Sequence, residues 1–417
     1  MKSLKHRLIN GTIWNTISQA GTVASNFALT FILARILGPE EFGLIGMATV
    51  ITGFLGFFSE FGIIDSIVRK KNHDALDEHT AFWTGIAFSL LTYTAIYFAS
   101  PLVASFYDTP ELTRICRVSS LIFLIGAYGF IPVALEIKKV QYKTLTLLEL
   151  ASTILSGACA IAAAYNGLGV WALVIQLLMR KLATNAGYFL FIKWRPKLSF
   201  SRTRFRTMIG FSIHRTANNL ITFLTENSDA ILIGKMLGPA ALGNYTMAFR
   251  LTRFPIQKFW SVFGRMLFPA FAEMQDDRSR LRRNYIKITL TGGLLLLPVV
   301  AALHYFTDTF VLWTVGEKWL PVSDLIKILS IYLLLYSFSL ADEPLMILIS
   351  LKFLNTIKII SISTFILLGI IILQKHPITT LANLYVTLYA IQMLVTKFRI
   401  YTLLNQPPPT QSQTLHQ

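Results

Sequence analysis

Eight basic residues lie inside apolar runs: Arg180, Lys181, Arg215, Arg250, Arg253, Lys258, Arg265 and Lys327. Lys258, Arg265 and Lys327 stand where a long side chain can reach an interface. The other five are more central. A cation at mid-membrane costs about 2.5–3.5 kcal/mol on insertion scales, so it calls for a water-filled cavity or a partner. Such a group is suited to binding oxyanions, because a guanidinium gives parallel, charge-assisted hydrogen bonds to phosphate or carboxylate.

The spacing around these cations is helical. Arg215, Asn219, Thr222, Glu226 and Asp229 follow steps of four and three, and so do Thr246, Arg250, Arg253, Gln257 and Ser261. Each set makes one polar stripe on a helix. Two readings stay open. In the first, Glu149, Glu226 and Asp229 pair with the cations as buried glue. In the second, Arg180, Lys181, Arg215, Arg250 and Arg253 outnumber these acids and leave positive charge for an anionic ligand. Asn219, Thr222 and Gln257 would then add hydrogen bonds. Glu226 or Asp229 would suit a proton or sodium ion coupled to movement.

The elements that position these stripes are repeated. Leu33 to Ala48 (LARILGPEEFGLIGMA) and Ile233 to Ala248 (IGKMLGPAALGNYTMA) share a basic residue, Leu-Gly-Pro, a further Gly and Met-Ala in register. Gly38-Pro39 and Gly238-Pro239 should each end one helix, since Gly reaches left-handed angles and Pro cannot continue the ladder. Gly43 and Gly243 then fall near the start of the next helix. The polar stripe repeats too, as Asn15, Gln19, Thr22, Asn26 and Leu29. The chain reads as two similar halves.

Composition names the solvent. Of 417 residues, 54% are hydrophobic and 14% charged, well under the roughly 25% charged of soluble domains. Spans of about 20 apolar residues are expected near 10–34, 42–64, 81–105, 115–135, 145–165, 169–192, 207–232, 241–266, 286–306, 324–349, 355–374 and 380–404. Six per half gives parallel repeats: an all-α polytopic membrane protein with one lobe over 1–193 and another over 207–404. A net charge of +17 would suggest nucleic acid on a soluble protein. Here topology accounts for it, and no nucleic-acid partner is inferred. Basic loop residues crowd one side, around 2–7, 69–71, 138–143, 193–206 and 278–287, with Lys352, Lys358, Lys397 and Arg399. The other side has Arg35, Arg114, Arg117, Lys235, Lys318 and Lys375. Both termini are therefore expected in the cytoplasm.

The basic linker 194–206 admits two readings, a solvated loop or a segment lying on the membrane. The polar tail 405–417 reads as disordered. Cys116 and Cys159 suggest neither a disulfide nor a metal site. His73, Asp74, Asp77, Glu78 and His79 read as a solvated acidic loop before a metal site. There is no P-loop, no catalytic constellation and no cofactor signal, so a transporter is expected before an enzyme.

The order and spacing of several motifs resemble bacterial polysaccharide exporters of the multidrug/oligosaccharidyl-lipid/polysaccharide flippase superfamily. The resemblance rests on Asn227 to Gly238 with Ala241 to Tyr245, on Leu33 to Gly43, and on Phe61-Gly62. Gly167 to Leu173, Phe268 to Ala272 and Gly316 to Trp319 also fit. It covers the chain to about residue 404 and is closest in kind to exporters of O-antigen, colanic-acid or teichuronic-acid type.

The resemblance implies two six-helix lobes around a central cavity in the bacterial inner membrane. It also implies transfer of undecaprenyl-pyrophosphate-linked oligosaccharides by alternating access, for lipopolysaccharide or exopolysaccharide. Partners would be the lipid-linked oligosaccharide and the bilayer, with a polysaccharide polymerase and glycosyltransferases nearby. The competing readings are a peptidoglycan-lipid flippase, a cation-coupled drug antiporter, and a membrane glycan polymerase or ligase. The last would have to draw on the outer segment near 307–323, which offers Asp308 and Glu317.

Overall fold

A computed structural model describes residues 21–70, 73–139, 142–275 and 277–405. Within them, the side chains at 142, 210–215, 217, 218, 221, 222, 225, 226 and 254–265 are not described. The tail 406–417 and the first stripe residues Asn15 and Gln19 lie outside this set.

Among the described residues the regular elements are all helical. They are α1 (Gly21–Ile36), α2 (Pro39–Glu60), α3 (Ile63–Arg69), α4 (Ala75–Phe106), α5 (Leu112–Ser119), α6 (Leu121–Gly126), α7 (Phe130–Lys138), α8 (Tyr142–Tyr165), α9 (Val170–Phe191), α10 (Arg202–Glu273), α11 (Arg278–Tyr305), α12 (Thr307–Thr314), α13 (Val322–Ser337), α14 (Asp342–Ile349), α15 (Leu351–Leu373) and α16 (Ile378–Asn405). Each expected span falls on this set, the first from residue 21 on. The second runs through α2 and α3, and the fourth through α5 to α7. The seventh and eighth are the two arms of α10. The tenth is α13 with α14, bent by 47°.

The chain packs as two compact units, Met1–Gly243 and Asn244–Gln417. In the first, α8 lies along α9, and α2 packs on α4. Gly167 and Gly169, with φ of 77° and 53°, make the tight turn from α8 to α9. Ile63, Ile67, Phe82, Ile131 and Trp194 belong to the core at one end of this unit. In the second, α13 packs on α11 and α16. Phe271, Leu281, Leu345, Met346 and Ile400 form part of its core. Trp319, from the Gly316 to Trp319 motif, is fully buried.

The two corners differ in how they turn. Gly38 is extended (φ −104°) and its N–H donates to the Glu41 carboxylate, 2.9 Å away. Pro39 opens α2, and Glu40 and Glu41 favour the positive end of its dipole. The second copy has Ala240 and Ala241 in their place. There Gly238 alone breaks α10, at φ 80°. The left-handed turn expected of both glycines therefore occurs only in the second.

Gly43 and Gly243 explain themselves by approach. A Cβ on Gly43 would stand 1.7 Å from the Pro239 carbonyl oxygen, and one on Gly243 would stand 1.8 Å from that of Pro39. Each corner presses its bare backbone against the proline of the other.

Candidate functional site

In the first unit Arg180 projects from α9 between two neighbours. Its guanidinium donates to the Glu149 carboxylate of α8 at 2.9 Å and to Asn26 Oδ1 of α1 at 3.4 Å. Asn26 belongs to the first polar stripe, so the structure brings that stripe and the mid-span cation together. Arg180 and Glu149 remain 35% and 50% exposed, so the pair is not sealed into a core. The adjacent Lys181 lays its stem across Gly126 of α6, where a Cβ would come within 2.5 Å of Cε. Asn219 and Asp229 are half-buried on α10, and Asp229 Oδ1 accepts from the Ala230 N–H at 2.8 Å. The side chains of Arg215, Thr222 and Glu226 lie outside the described residues, as does that of Gln257.

In the second unit Arg253 stands in an aromatic setting. It donates to the Tyr385 hydroxyl at 3.1 Å and lies 5.7 Å from the ring centres of both Phe249 and Tyr332, within cation–π range. Tyr332 packs on Tyr389 at 4.7 Å, on Tyr385 at 5.2 Å and on Tyr336 at 5.9 Å. Arg250, three residues back on α10, is exposed. Sequence reasoning named the arginines and passed over the tyrosines. Their signal was present: Tyr332 and Tyr336 are four apart on α13, and Tyr385 and Tyr389 are four apart on α16, so each pair shares a face.

A second polar cluster corrects the charge reading. Lys397 was counted with the loops, yet it sits inside α16 and reaches the Asp342 carboxylate at 3.1 Å and the Phe338 carbonyl at 2.8 Å. The Tyr285 hydroxyl donates to the same carboxylate oxygen at 2.7 Å. Asp342 is 5% exposed. Alongside runs a mostly apolar groove of about 560 Å³, lined among others by Arg282, Ile286, Leu335, Met393 and Tyr401. The physical reason for the misplacement is reach. Lys397 lies eight residues before the end of its helix, close enough to resemble an interfacial lysine, while its partner is 55 positions away.

The stretch expected as a solvated acidic loop is instead largely the start of α4, with Asp77 and His79 buried because they pack and pair there. His73 lies 3.1 Å from Glu78 and 2.7 Å from the Lys138 ammonium, and Lys70 pairs with Asp77 at 2.6 Å. In the outer segment, Lys327 holds Asp308 at 2.9 Å. Hydrogen bonds from Lys327 and Ser323 keep that carboxyl below its ordinary range.

Comparisons with known proteins identify the family and the fold. The family model described as "Polysaccharide biosynthesis protein" covers residues 32–324. The lipopolysaccharide biosynthesis protein WzxC of Escherichia coli is 27% identical over 341 residues, 80% of this chain and 68% of WzxC. The succinoglycan biosynthesis transport protein ExoT of Rhizobium meliloti is 28% identical over 307 residues, 73% of this chain and 62% of ExoT. The match thus spans about two thirds of the length of these relatives. Among solved structures, an inward-facing multidrug resistance transporter of the MATE family superposes with a TM-score of 0.66 at 17% identity, covering 94% of this chain and 98% of that one. The lipid II flippase MurJ in an inward closed conformation also gives 0.66, at 12% identity, over 94% and 87%. At such identities the two show the fold, that of the multidrug/oligosaccharidyl-lipid/polysaccharide flippase superfamily. With the family model matching well over half of its length, the chain belongs to the polysaccharide biosynthesis protein family, as a multi-pass membrane protein.

Proposed function

We propose that this protein moves undecaprenyl-pyrophosphate-linked oligosaccharide repeat units from the cytoplasmic to the outer leaflet of the inner membrane, by alternating access. The observation that carries the reading is the setting of Arg253. A membrane-embedded guanidinium stands on a phenol and two aromatic faces, inside a chain of the polysaccharide biosynthesis family. The names of the relatives WzxC and ExoT, in lipopolysaccharide and succinoglycan biosynthesis, support a glycan cargo.

A pyrophosphate cannot cross roughly 30 Å of hydrocarbon unaided. Arg180, Lys181, Arg215, Arg250 and Arg253 supply the charge-assisted hydrogen bonds that replace its water. Asn219, Thr222 and Gln257 take sugar hydroxyls. Glu226 and Asp229 compete for the cations, and protonation or sodium binding there couples release to the ion gradient. A polymerase or ligase reading has little support, since Asp308, one of two acids in the outer segment, is held by Lys327.

The test is the double substitution Arg250→Gln/Arg253→Gln in a deletion strain of the source bacterium. Lipid-linked repeat units are extracted and located by labelling the outer face of intact spheroplasts. Completed units should be trapped inside, with protein levels unchanged. Normal delivery to the outer face would remove these arginines from the mechanism. Delivery that is normal even in the deletion strain would place the protein after flipping.

A further inference from the structure

The segment joining α9 to α10 is an extended strap with two different faces. Ile192 and Trp194 are buried, while Lys193, Arg195 and Lys197 between and beyond them are exposed. This alternation is that of an extended chain laid against a surface. Several hydrogen bonds pin it. Trp194 Nε1 donates to Glu78 at 2.7 Å, and Tyr128 donates to the Trp194 carbonyl at 3.0 Å. Trp83 Nε1 donates to the Lys197 carbonyl at 2.9 Å, and the Ser201 N–H donates to Thr80 at 3.1 Å. Arg195 is turned back onto the end of α9, where it donates to the Ile192 carbonyl at 2.9 Å and stacks on Phe189.

Arg204 fixes the start of α10. It reaches Asp74 and Asp77, each at 2.8 Å. Positions two residues to either side lie roughly 200° around a helix, so Arg202 and Arg206 share the opposite face, and both are exposed. The outward side of the strap therefore carries Lys193, Lys197, Arg202 and Arg206. Among the described residues none of these four is ion-paired. Between Phe191 and Arg206 there is no acidic residue. Leu198 is 91% exposed and Phe200 54%. A loop bathed in water gains nothing from such side chains in the middle of a cationic face. The strap also begins directly after a span whose last residues, Leu190 and Phe191, are 72% and 69% exposed. Cations flanking exposed apolar groups at that depth match an anionic leaflet.

We propose that the strap 193–206 is a docking site for anionic phospholipid. Lys193, Lys197, Arg202 and Arg206 take the charged headgroups, and Leu198 and Phe200 enter the acyl region beneath them. The strap is pinned on one face and lipid-bound on the other, so it ties the root of α10 to the bilayer surface. This assignment is independent of the transported substrate.

The experiment uses the full chain in nanodiscs of phosphatidylcholine, with or without phosphatidylglycerol. The background is Cys116→Ala/Cys159→Ala, with an environment-sensitive fluorophore on Leu198→Cys. Phosphatidylglycerol should shift the emission to the blue and protect the probe from aqueous iodide. The substitutions Lys193→Gln, Lys197→Gln, Arg202→Gln and Arg206→Gln should each weaken the phosphatidylglycerol dependence about fivefold, and the four together should abolish it. Thermal unfolding checks that the quadruple variant is folded. Equal iodide quenching in both lipids would place the strap in water, open to an acidic protein instead, and would overturn the proposal. A phosphatidylglycerol response that survives the quadruple substitution would overturn it as well.

Discussion

At the scale of the residue, charges inside the bilayer are informative because each must be provided for. Arg180 has a carboxylate and an amide, Arg253 a phenol and two ring faces, and Lys397 a carboxylate, a carbonyl and a hydroxyl. The Lys397 cluster makes a stability prediction. Lys397→Met leaves the Asp342 carboxylate buried without its cation, and breaking such a pair from one side costs about 3–5 kcal/mol. Lys397→Met with Asp342→Leu removes the stranded charge and should recover most of the loss. Thermal unfolding in detergent reads both, and a double variant no better than the single would show that the pair is not what holds α14 to α16. The arginines were legible in the sequence because charged residues in apolar runs stand out. The tyrosines around Arg253 and the acid opposite Lys397 were not, since periodicity gives the face a residue occupies but not what stands across from it.

At the scale of the element, the corners and the strap set where helices begin. α4 starts at a capping box in which Asp74 accepts from the Asp77 N–H at 2.9 Å. Hydrogen bonds from Arg204 and then from that N–H hold the Asp74 carboxyl down at about 2. A depressed carboxyl of this kind stabilises the fold above its unfolded value near 4 and ceases to do so as pH falls through about 2. The clasp on α10 therefore stays closed at physiological pH. The corner glycines yield a sharper prediction. Gly43→Ala and Gly243→Ala each put a methyl group into a carbonyl oxygen, and each should cost about 1–3 kcal/mol, the usual penalty of overpacking. Because both force the same separation, the double variant should cost little more than either single one. Full additivity in thermal unfolding would mean that the two contacts are separate. The sequence displayed the corners through the 200-residue repeat, and their helix-turn-helix form followed from Gly-Pro. That they meet each other was hidden, because a repeat says which segments are alike and not which ones touch.

At the scale of the whole molecule, sidedness is consistent between loops. Lys235 pairs with Asp108 at 2.6 Å, and both lie in segments that the charge pattern assigns to the outside. Arg204 pairs with Asp74 and Asp77, Lys70 pairs with Asp77, and Lys138 donates to the Lys70 carbonyl; all lie in segments assigned to the cytoplasm. The charge rule predicts an orientation. In intact cells a membrane-impermeant thiol reagent should label Asp108→Cys, and should label Thr203→Cys only after the inner membrane is permeabilised. The opposite pattern would invert the topology. The twelve-span plan was the most legible feature, since apolar length is read directly from sequence. Composition alone was less complete: several spans carry too many polar residues to qualify by hydropathy, α9 and α10 among them. Those are the helices that hold most of the cations discussed above.

The reciprocal corner has a consequence for symmetry. Residue 43 of one copy meets residue 239 of the other, and residue 243 meets residue 39. An exchange of this kind is what a two-fold axis imposes when identical subunits meet through the same patch. The contact has the form expected where one repeat of a chain packs against the other.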